Sequence, residues 1–497
     1  VNLRRLFPHA SFVGCADLRV EFAADSSRVC RPGALFAVIR GTRDDGARHL
    51  PEAISRGASA LMVDRPIASV DLPQCVVPDV RRAYAELWSA LMSHPSRCLG
   101  LVGVTGTNGK TTTTWLARSI FTAAGHQTGL LGTIEYHDGC YSERSSLTTP
   151  DPATLAKWLA AMVNAGTTRA AIELSSHALD QRRMAGTLFD AAVINNITQD
   201  HFDYHGNFRA YRQSKLRILD SLKPAGVAII NVDDPGARSC LEEAPKRTLT
   251  FGLRESADVS ATILESSLSG TRFRLNIGLE RIETHTRLIG EHNVSNCLAA
   301  AAAAWHLGVS LEQIAAGIEA LDRVPGRLDP IEAGQPFRVF VDYAHTDVAL
   351  ASCLAALRPL TSGRLICVFG AGGDRDRSKR PLLARSAQLA DVAVVTSDNP
   401  RSEPPLAIIE QILAGFSGKG PRPIVEPDRR QAIGWAVAHA CPGDTVVLAG
   451  KGHETEQVIG SERHHFDDAA CARAFLDAMR PGKLPQPHLW SRAAVRK

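Results

Sequence analysis

Short apolar runs at 34–39 and 58–63, set off by Gly and Pro, predict strands near the start of the chain, and a helix-patterned stretch follows at 80–92. Ser93-His94-Pro95-Ser96 breaks that pattern, which marks a boundary and outlines a first domain over 1–97. From residue 99 the texture changes. A continuous apolar run at 99–104 enters a Gly-rich turn, and a helical pattern begins at Thr111. Further strand-like runs at 170–174, 191–197 and 227–232 are separated by helix-length segments. Val324-Pro325-Gly326 then divides a central domain, 98–325, from a last one, 326–497, whose runs fall at 339–342, 365–369, 392–396 and 445–449. Strands alternating with helices predict α/β units with mostly parallel sheets covered on both faces. Ligands of such sheets sit beyond the strand carboxyl ends, so chemistry is expected in the residues that follow each run. The Ala-dominated 298–305 segment reads as a buried helix, too short to cross a bilayer, and 483–497, with two prolines and four basic residues, as a loose tail.

Composition narrows the class. A length of 497 residues suits roughly three domains, and 44% hydrophobic with 22% charged residues is ordinary for a soluble globular protein. The net charge of +4 gives no argument for nucleic acid. Eleven scattered cysteines without a CxxC pair predict reduced thiols in the cytoplasm and no disulfide framework or zinc ribbon. Residues 1–12 hold two arginines with no apolar run after them, unlike a signal peptide. There is no solenoid period and no low-complexity tract.

Gly103-Val104-Thr105-Gly106-Thr107-Asn108-Gly109-Lys110-Thr111 lies between a strand run and a helix. Glycines let backbone N–H groups turn toward phosphate oxygens, Lys110 supplies a point charge, and Thr111 can offer its hydroxyl to Mg²⁺. The helix start adds its positive dipole end. A standard Walker A spacing would require glycine at 104, where this chain has valine. Strand–Gly–helix turns are common in α/β proteins, but TGTNGKT in this context reads as a phosphate loop.

Glu173 closes one strand run, and Asn195-Asn196-Ile197-Thr198-Gln199-Asp200-His201 ends the next. A carboxylate and an imidazole at neighbouring strand ends suit a Mg²⁺ that bridges phosphates. His201 alone would read as structural; with Glu173 and the loop it reads as a ligand.

These segments resemble those of the Mur ligase family and its relative folylpolyglutamate synthetase, and the resemblance runs along nearly the whole chain. It implies three domains: a small uridine-nucleotide-binding α/β domain, a central P-loop-type parallel-sheet ATPase domain and a C-terminal Rossmann-like domain. It implies ATP contacts from Gly106, Thr107, Asn108, Gly109, Lys110, Thr111 and Thr112, with Asn293 near adenine, Arg327 on phosphate and Asp342 near the ribose. Magnesium would be held by Thr111, Glu173, His201 and a carbamylated Lys215 (N6-carboxylysine). Lys110, Lys215 and His201 are the catalytic residues so implied, with His201 a ligand and not a base. Within Asp342-Tyr343-Ala344-His345-Thr346-Asp347, the family's usual proline is replaced by Asp347.

Ser26-Ser27-Arg28 and Pro32-Gly33-Ala34-Leu35-Phe36 resemble the opening of the family's uridine-binding domain, with Ser26 where an Asp is usual. On the same basis Ser27, Thr42, Arg43, Asp44, Thr148, Thr149, Ser175, Gln181 and Arg183 would hold a UDP-MurNAc-dipeptide. Asp398-Asn399-Pro400-Arg401 resembles the tetrapeptide of meso-diaminopimelate-adding members, with partners Arg375, Gly450 and Glu454. Arg401 can grip the distal carboxylate bidentately and Glu454 can accept from the distal ammonium. Taken alone, this tetrapeptide also reads as an Asn-Pro turn that ends a strand and aims Arg401 outward.

The activity implied is ATP-dependent amide ligation through an acyl phosphate. It adds meso-diaminopimelate to UDP-MurNAc-L-Ala-D-Glu in cytoplasmic peptidoglycan precursor synthesis. Expected partners are those two substrates and ATP, with no nucleic acid, no membrane insertion and a monomeric state. Folylpolyglutamate synthetase shares the loop and the carbamate but lacks the first domain and the DNPR. A nucleotide switch would need neither Lys215 nor the substrate arginines.

Overall fold

The computed structural model describes residues 1–41, 44–416 and 422–479. Thr42, Arg43 and the 483–497 tail lie outside the described residues. Among those described, the strands form three large sheets and one two-stranded hairpin.

The first sheet orders its strands Ser11–Val13, Gln74–Val76, Ala58–Val63, Ala34–Ala37 and Ala23–Ala24, parallel except for the first pair. Helix Val80–Leu91 lays Ala83, Tyr84, Leu87 and Trp88 on its core. The Asp79 carboxylate accepts from Arg82 N at the helix start. Ser93 and His94 end the segment in left-handed backbone, φ 61° and 54°, at the break expected there.

Eleven strands make the central sheet. Gly100–Thr105 lies between Arg169–Leu174 and Phe189–Ile194, all parallel, with Leu174 and Ile194 both in register with Thr105. The carboxyl ends of three strands therefore coincide at the phosphate loop. The 191–197 run stops being a strand at Ile194 because Asn195 and Asn196 leave the ladder to brace that loop. Antiparallel pairing extends both edges: Val259–Ser267, itself parallel to Thr248–Gly252, continues antiparallel into Gly270–Ile277 and Glu280–Thr286 on one side, and Glu135–His137 and Ser142–Arg144 do so on the other. Their alternating exposure marks sheet with one solvated face, a pattern that a search for continuous apolar runs passes over. The Ala-rich segment falls inside helix Glu291–His306, where Ala299, Ala300, Ala301, Ala302, Ala303 and Ala304 are all buried. Small side chains there let it pack closely on helix Lys110–Ala123.

The third sheet runs Asp329–Pro330, Arg338–Asp342, Thr445–Ala449, Leu365–Phe369, Val392–Val395 and Ile424–Val425, parallel after the first pair. The hairpin Glu456–Ile459 with Glu462–His465 follows it. No helix among the described residues is long and apolar enough to cross a membrane.

Candidate functional site

The phosphate loop is wound by two glycines. Gly106 has φ 157° and Gly109 φ 83°, and a Cβ at Gly109 would stand 2.3 Å from Asn296 Oδ1. Val104, at the Walker position, is a fully buried strand residue in register with Glu173 and Val193, so no glycine is needed there. Asn196 holds the loop from below: its Oδ1 accepts from Asn108 N at 2.7 Å and its Nδ2 donates to Asn108 O at 3.1 Å. Thr107 N donates to Asn196 O at 2.8 Å.

Glu173 is completely buried and fully engaged. Its Oε1 accepts from Thr133 N at 2.8 Å, and its Oε2 accepts from the hydroxyls of Thr133 at 2.9 Å and Thr111 at 3.0 Å. Thr133 was missed by the sequence reading, although it follows the Thr128–Leu131 strand and the strand-end rule would have found it. Among the described residues no three His, Cys, Asp or Glu side chains cluster closely enough to hold a metal ion by themselves. Glu173 and Thr111 supply a pair of hard oxygen donors, the set that suits a Mg²⁺ completed by phosphate oxygens and water.

Two lysines converge beside this pair. Lys110 Nζ donates to Gly106 O and Thr107 O at 2.9 Å each, and Lys215 Nζ donates to Gly106 O at 2.8 Å. Burial lowers the Lys110 ammonium's pKa, while Glu173 and Asp200 partly oppose it. Burial, and then the Lys110 charge, hold the Lys215 amine well below the usual lysine range. As an ammonium Lys215 is a donor and no metal ligand; a carbamate there would present oxygens instead.

His201 sits in left-handed backbone, φ 54°, 4.8 Å from the His177 ring. Burial drives its imidazole down to about 3 against the pull of Asp200, leaving the neutral form that can act as a ligand. Burial pushes the Asp200 carboxyl up, but the Lys379 ammonium, which also donates to it, overcomes this and holds the group well below the usual carboxylate range. Lys379 donates to Asp200 from the third sheet's side of the molecule. The sequence offered no sign of this pair, because 179 residues separate its members.

One cavity of about 1220 Å³ gathers most of the predicted residues. On the nucleotide side it is lined by loop residues 107–112 with Asn293, Arg327 and Asp342. Asn293 is held by its own helix, donating to Ile289 O and accepting from Asn296. Arg327 Nη2 donates to Thr111 Oγ1 at 3.0 Å across the gap between sheets, and its guanidinium lies 4.5 Å from the Tyr343 ring centre. Its Nε is buried with no acceptor among the described residues. Asp342 accepts from Leu328 N and Ala344 N, and burial raises its carboxyl pKa. Asp347 begins helix Asp347–Leu357 behind Thr346, whose hydroxyl accepts from Ala349 N. Proline and an acidic residue both suit that first helical position, so the substitution leaves the turn intact.

Thr148, Thr149, Ser175 and Arg183 line another wall. Arg183 Nη1 donates to Thr149 O at 3.0 Å, and its other nitrogens donate to Gln181 Oε1, so Gln181 acts from behind. Ser27 and Asp44 do not line this cavity: Ser27 donates to Glu52 at 2.7 Å and Asp44 meets His49 at 2.6 Å. Ser26 makes no capping bond at its short helix.

The third wall carries Arg375, Asp398, Asn399, Arg401, Gly450 and Glu454. Pro400 closes the turn between them, with its carbonyl 1.8 Å from where a Cβ on Gly373 would stand. Arg401 is not aimed free to solvent as the simple turn predicts. Its backbone is left-handed, φ 52°, and its half-buried guanidinium donates to Gly373 O at 2.7 Å. Burial, and then Arg375, lower its pKa; two arginines on one wall have the donors to receive a carboxylate.

The description Mur ligase middle domain matches residues 104–304, and the description Mur ligase, glutamate ligase domain, matches 326–452. The UDP-N-acetylmuramoyl-L-alanyl-D-glutamate--2,6-diaminopimelate ligase of Geobacillus kaustophilus (strain HTA426) is 43% identical across 92% of this chain and 94% of its own length. The relative of that name from Thermosynechococcus vestitus (strain NIES-2133 / IAM M-273 / BP-1) is 43% identical across 98% of this chain and 99% of itself. A solved structure bearing the same enzyme name superposes with a TM-score of 0.68 at 32% identity, covering 96% of this chain and 99% of that one.

Proposed function

This chain belongs to the Mur ligase family, and on that premise we propose that it joins meso-2,6-diaminopimelate to UDP-MurNAc-L-Ala-D-Glu with cleavage of ATP. The γ-carboxylate of D-Glu attacks the γ-phosphate of ATP to give an acyl phosphate and ADP. The diaminopimelate amine then displaces phosphate and forms the amide. The loop N–H groups, Lys110 and the helix start receive the phosphates. Arg327, already bonded to Thr111 from across the gap, has an unpartnered Nε that supplies a further donor to them. Glu173 and Thr111 would hold Mg²⁺, with His201 and a Lys215 carbamate as the second set, and the metal would supply charge neutralisation on the transferring phosphoryl group.

Thr148, Thr149, Ser175 and Arg183, backed by Gln181, take the dipeptide end. Ser27, Thr42, Arg43 and Asp44 take the uridine nucleotide, with the three domains divided at 97 and 325. Arg401 and Arg375 grip the distal carboxylate of the amino acid while Glu454 accepts from its ammonium. A cytoplasmic location and a monomeric state complete the proposal.

The observation that carries this reading is that Arg401 shares one cavity with the phosphate loop. A closed site that joins ATP to a paired-arginine receptor selects an amino acid with a second carboxylate. The test is an amino-acid panel in a ligation assay with product mass. We expect meso-diaminopimelate to be used and L-lysine rejected by about 10⁴ to 10⁵, because lysine would leave Arg401 and Arg375 without the carboxylate they are built to bond. Equal use of the two would sink the substrate assignment and leave the family untouched.

A further inference from the structure

Lys451 is fully buried and does not line the cavity, yet its ammonium lies directly behind the amino-acid wall. It follows the Thr445–Ala449 strand, one residue past Gly450. Its three N–H donors meet three acceptors: Glu456 O at 2.6 Å, Asn399 Oδ1 at 3.3 Å and Glu454 Oε2 at 3.3 Å. An ammonium has three donors and no acceptor, so this side chain is saturated. Asp398 Oδ1 lies 3.9 Å away.

The acceptors are tied to one another. Asn399 Nδ2 donates to the same Glu454 Oε2 at 2.9 Å, and Asn399 Oδ1 also accepts from Val458 N at 3.0 Å. With both donors on Oδ1, the amide orientation of Asn399 is fixed. Glu454 then has Oε2 pinned by two donors, and Oε1 is the oxygen left for a ligand. The hairpin locks the same turn through its backbone, since Arg401 N donates to Val458 O and Gly460 N to Arg401 O.

We propose that Lys451 is the positioning residue that makes Glu454 a reader of the substrate's distal ammonium, acting through Glu454 and Asn399 without touching the substrate. This rests on the assignment of diaminopimelate above. A buried cation between two carboxylates balances one of them, and the incoming ammonium balances the other. Without Lys451, Glu454 keeps the bond from Asn399 but loses its charged donor, and Asn399 loses one of the two donors that fix its amide.

The test compares meso-diaminopimelate with L-2-aminopimelate, which keeps the distal carboxylate and lacks the distal amine. The readout is the ratio of their kcat/KM values on one preparation, which does not change with the fraction of folded enzyme. Lys451→Met should shrink that ratio by about tenfold or more, the scale of coupling within one hydrogen-bonded network, and leave the KM for ATP unchanged. In a Glu454→Gln background, Lys451→Met should shrink it no further. Retention of the wild-type ratio in Lys451→Met, or an equal loss in both backgrounds, overturns the proposal. If Lys451→Met does not fold, Lys451→Arg decides: it keeps the charge, but its planar fork cannot match three acceptors around a point. A full wild-type ratio in that variant also overturns it. A wild type that uses both amino acids equally overturns the Glu454 assignment itself and is recognisable before any variant is made.

Discussion

Lys110 and Lys215 approach one carbonyl, Gly106 O, at 2.9 and 2.8 Å, with Lys215 fully buried and Lys110 partly so at the cavity wall. Two ammonium groups on one acceptor repel, and that repulsion adds to burial in lowering the Lys215 pKa. An unprotonated amine is the form that can add carbon dioxide and become an anion, which turns repulsion with Lys110 into attraction. Lys215→Ala should therefore abolish ligation, and small carboxylates added to the assay should restore part of it. Lys215→Arg keeps a positive charge and should remain inactive. An active Arg variant would show that the carbamate is not what matters.

At the scale of elements, the phosphate loop depends on geometry that only glycine tolerates at one position. Gly109 has φ 83°, and a methyl group there would press on Asn296 Oδ1, which also accepts from Thr113. Gly109→Ala combines left-handed strain of about 1–3 kcal/mol with displacement of Asn296. We expect a rise of tenfold or more in the KM for ATP and a lowered Tm, checked by kinetics and thermal unfolding side by side. An unchanged KM would mean that the loop does not cradle phosphate in this conformation. The loop was legible in the chain because an apolar run, a glycine turn and a helix start are local signals. The missing Walker glycine was legible only as a departure. Its harmlessness shows in the fold, where residue 104 is still strand and the turn begins at Gly106.

Across the whole molecule, the central and third sheets are joined at the cavity by contacts far apart in sequence. Lys379 pairs with Asp200, Gln199 donates to Ser378, Arg327 reaches Thr111 and Arg144 reaches Thr455. The Lys379–Asp200 pair is nearly buried, with side-chain exposures of 12% and 5%. Removing one partner of a buried pair costs about 3–5 kcal/mol because the other charge stays unpaired. Since Lys379 opens helix Lys379–Ala387 on the third sheet and Asp200 follows a strand of the central one, the loss should fall on how the two sides of the cavity meet. Lys379→Met should raise the KM for the amino acid by at least roughly tenfold, with Lys379→Arg recovering part of it. ADP binding, measured by calorimetry, should stay within a factor of about three. A Met variant with wild-type kinetics would show that the pair is incidental to how those sides meet.

What the chain determined by itself is what depends on near neighbours: strand runs such as 58–63, 365–369 and 445–449, the phosphate loop, and the placement of Glu173 at a strand end and of Arg401 in the turn after Val392–Val395. Each is written as a local period or turn, and the parallel α/β arrangement then sets strand ends side by side. Tertiary structure alone decided the antiparallel extensions of the central sheet, the hold of Thr133 on Glu173, the meeting of two lysines on Gly106 O, and the Lys379–Asp200 pair. It also placed Lys451 behind Glu454 and Asn399, the latter 52 residues away in sequence. Those contacts join residues whose separation in the chain carries no period. Their energies come from burial and from charges brought together by folding, and no local pattern records them.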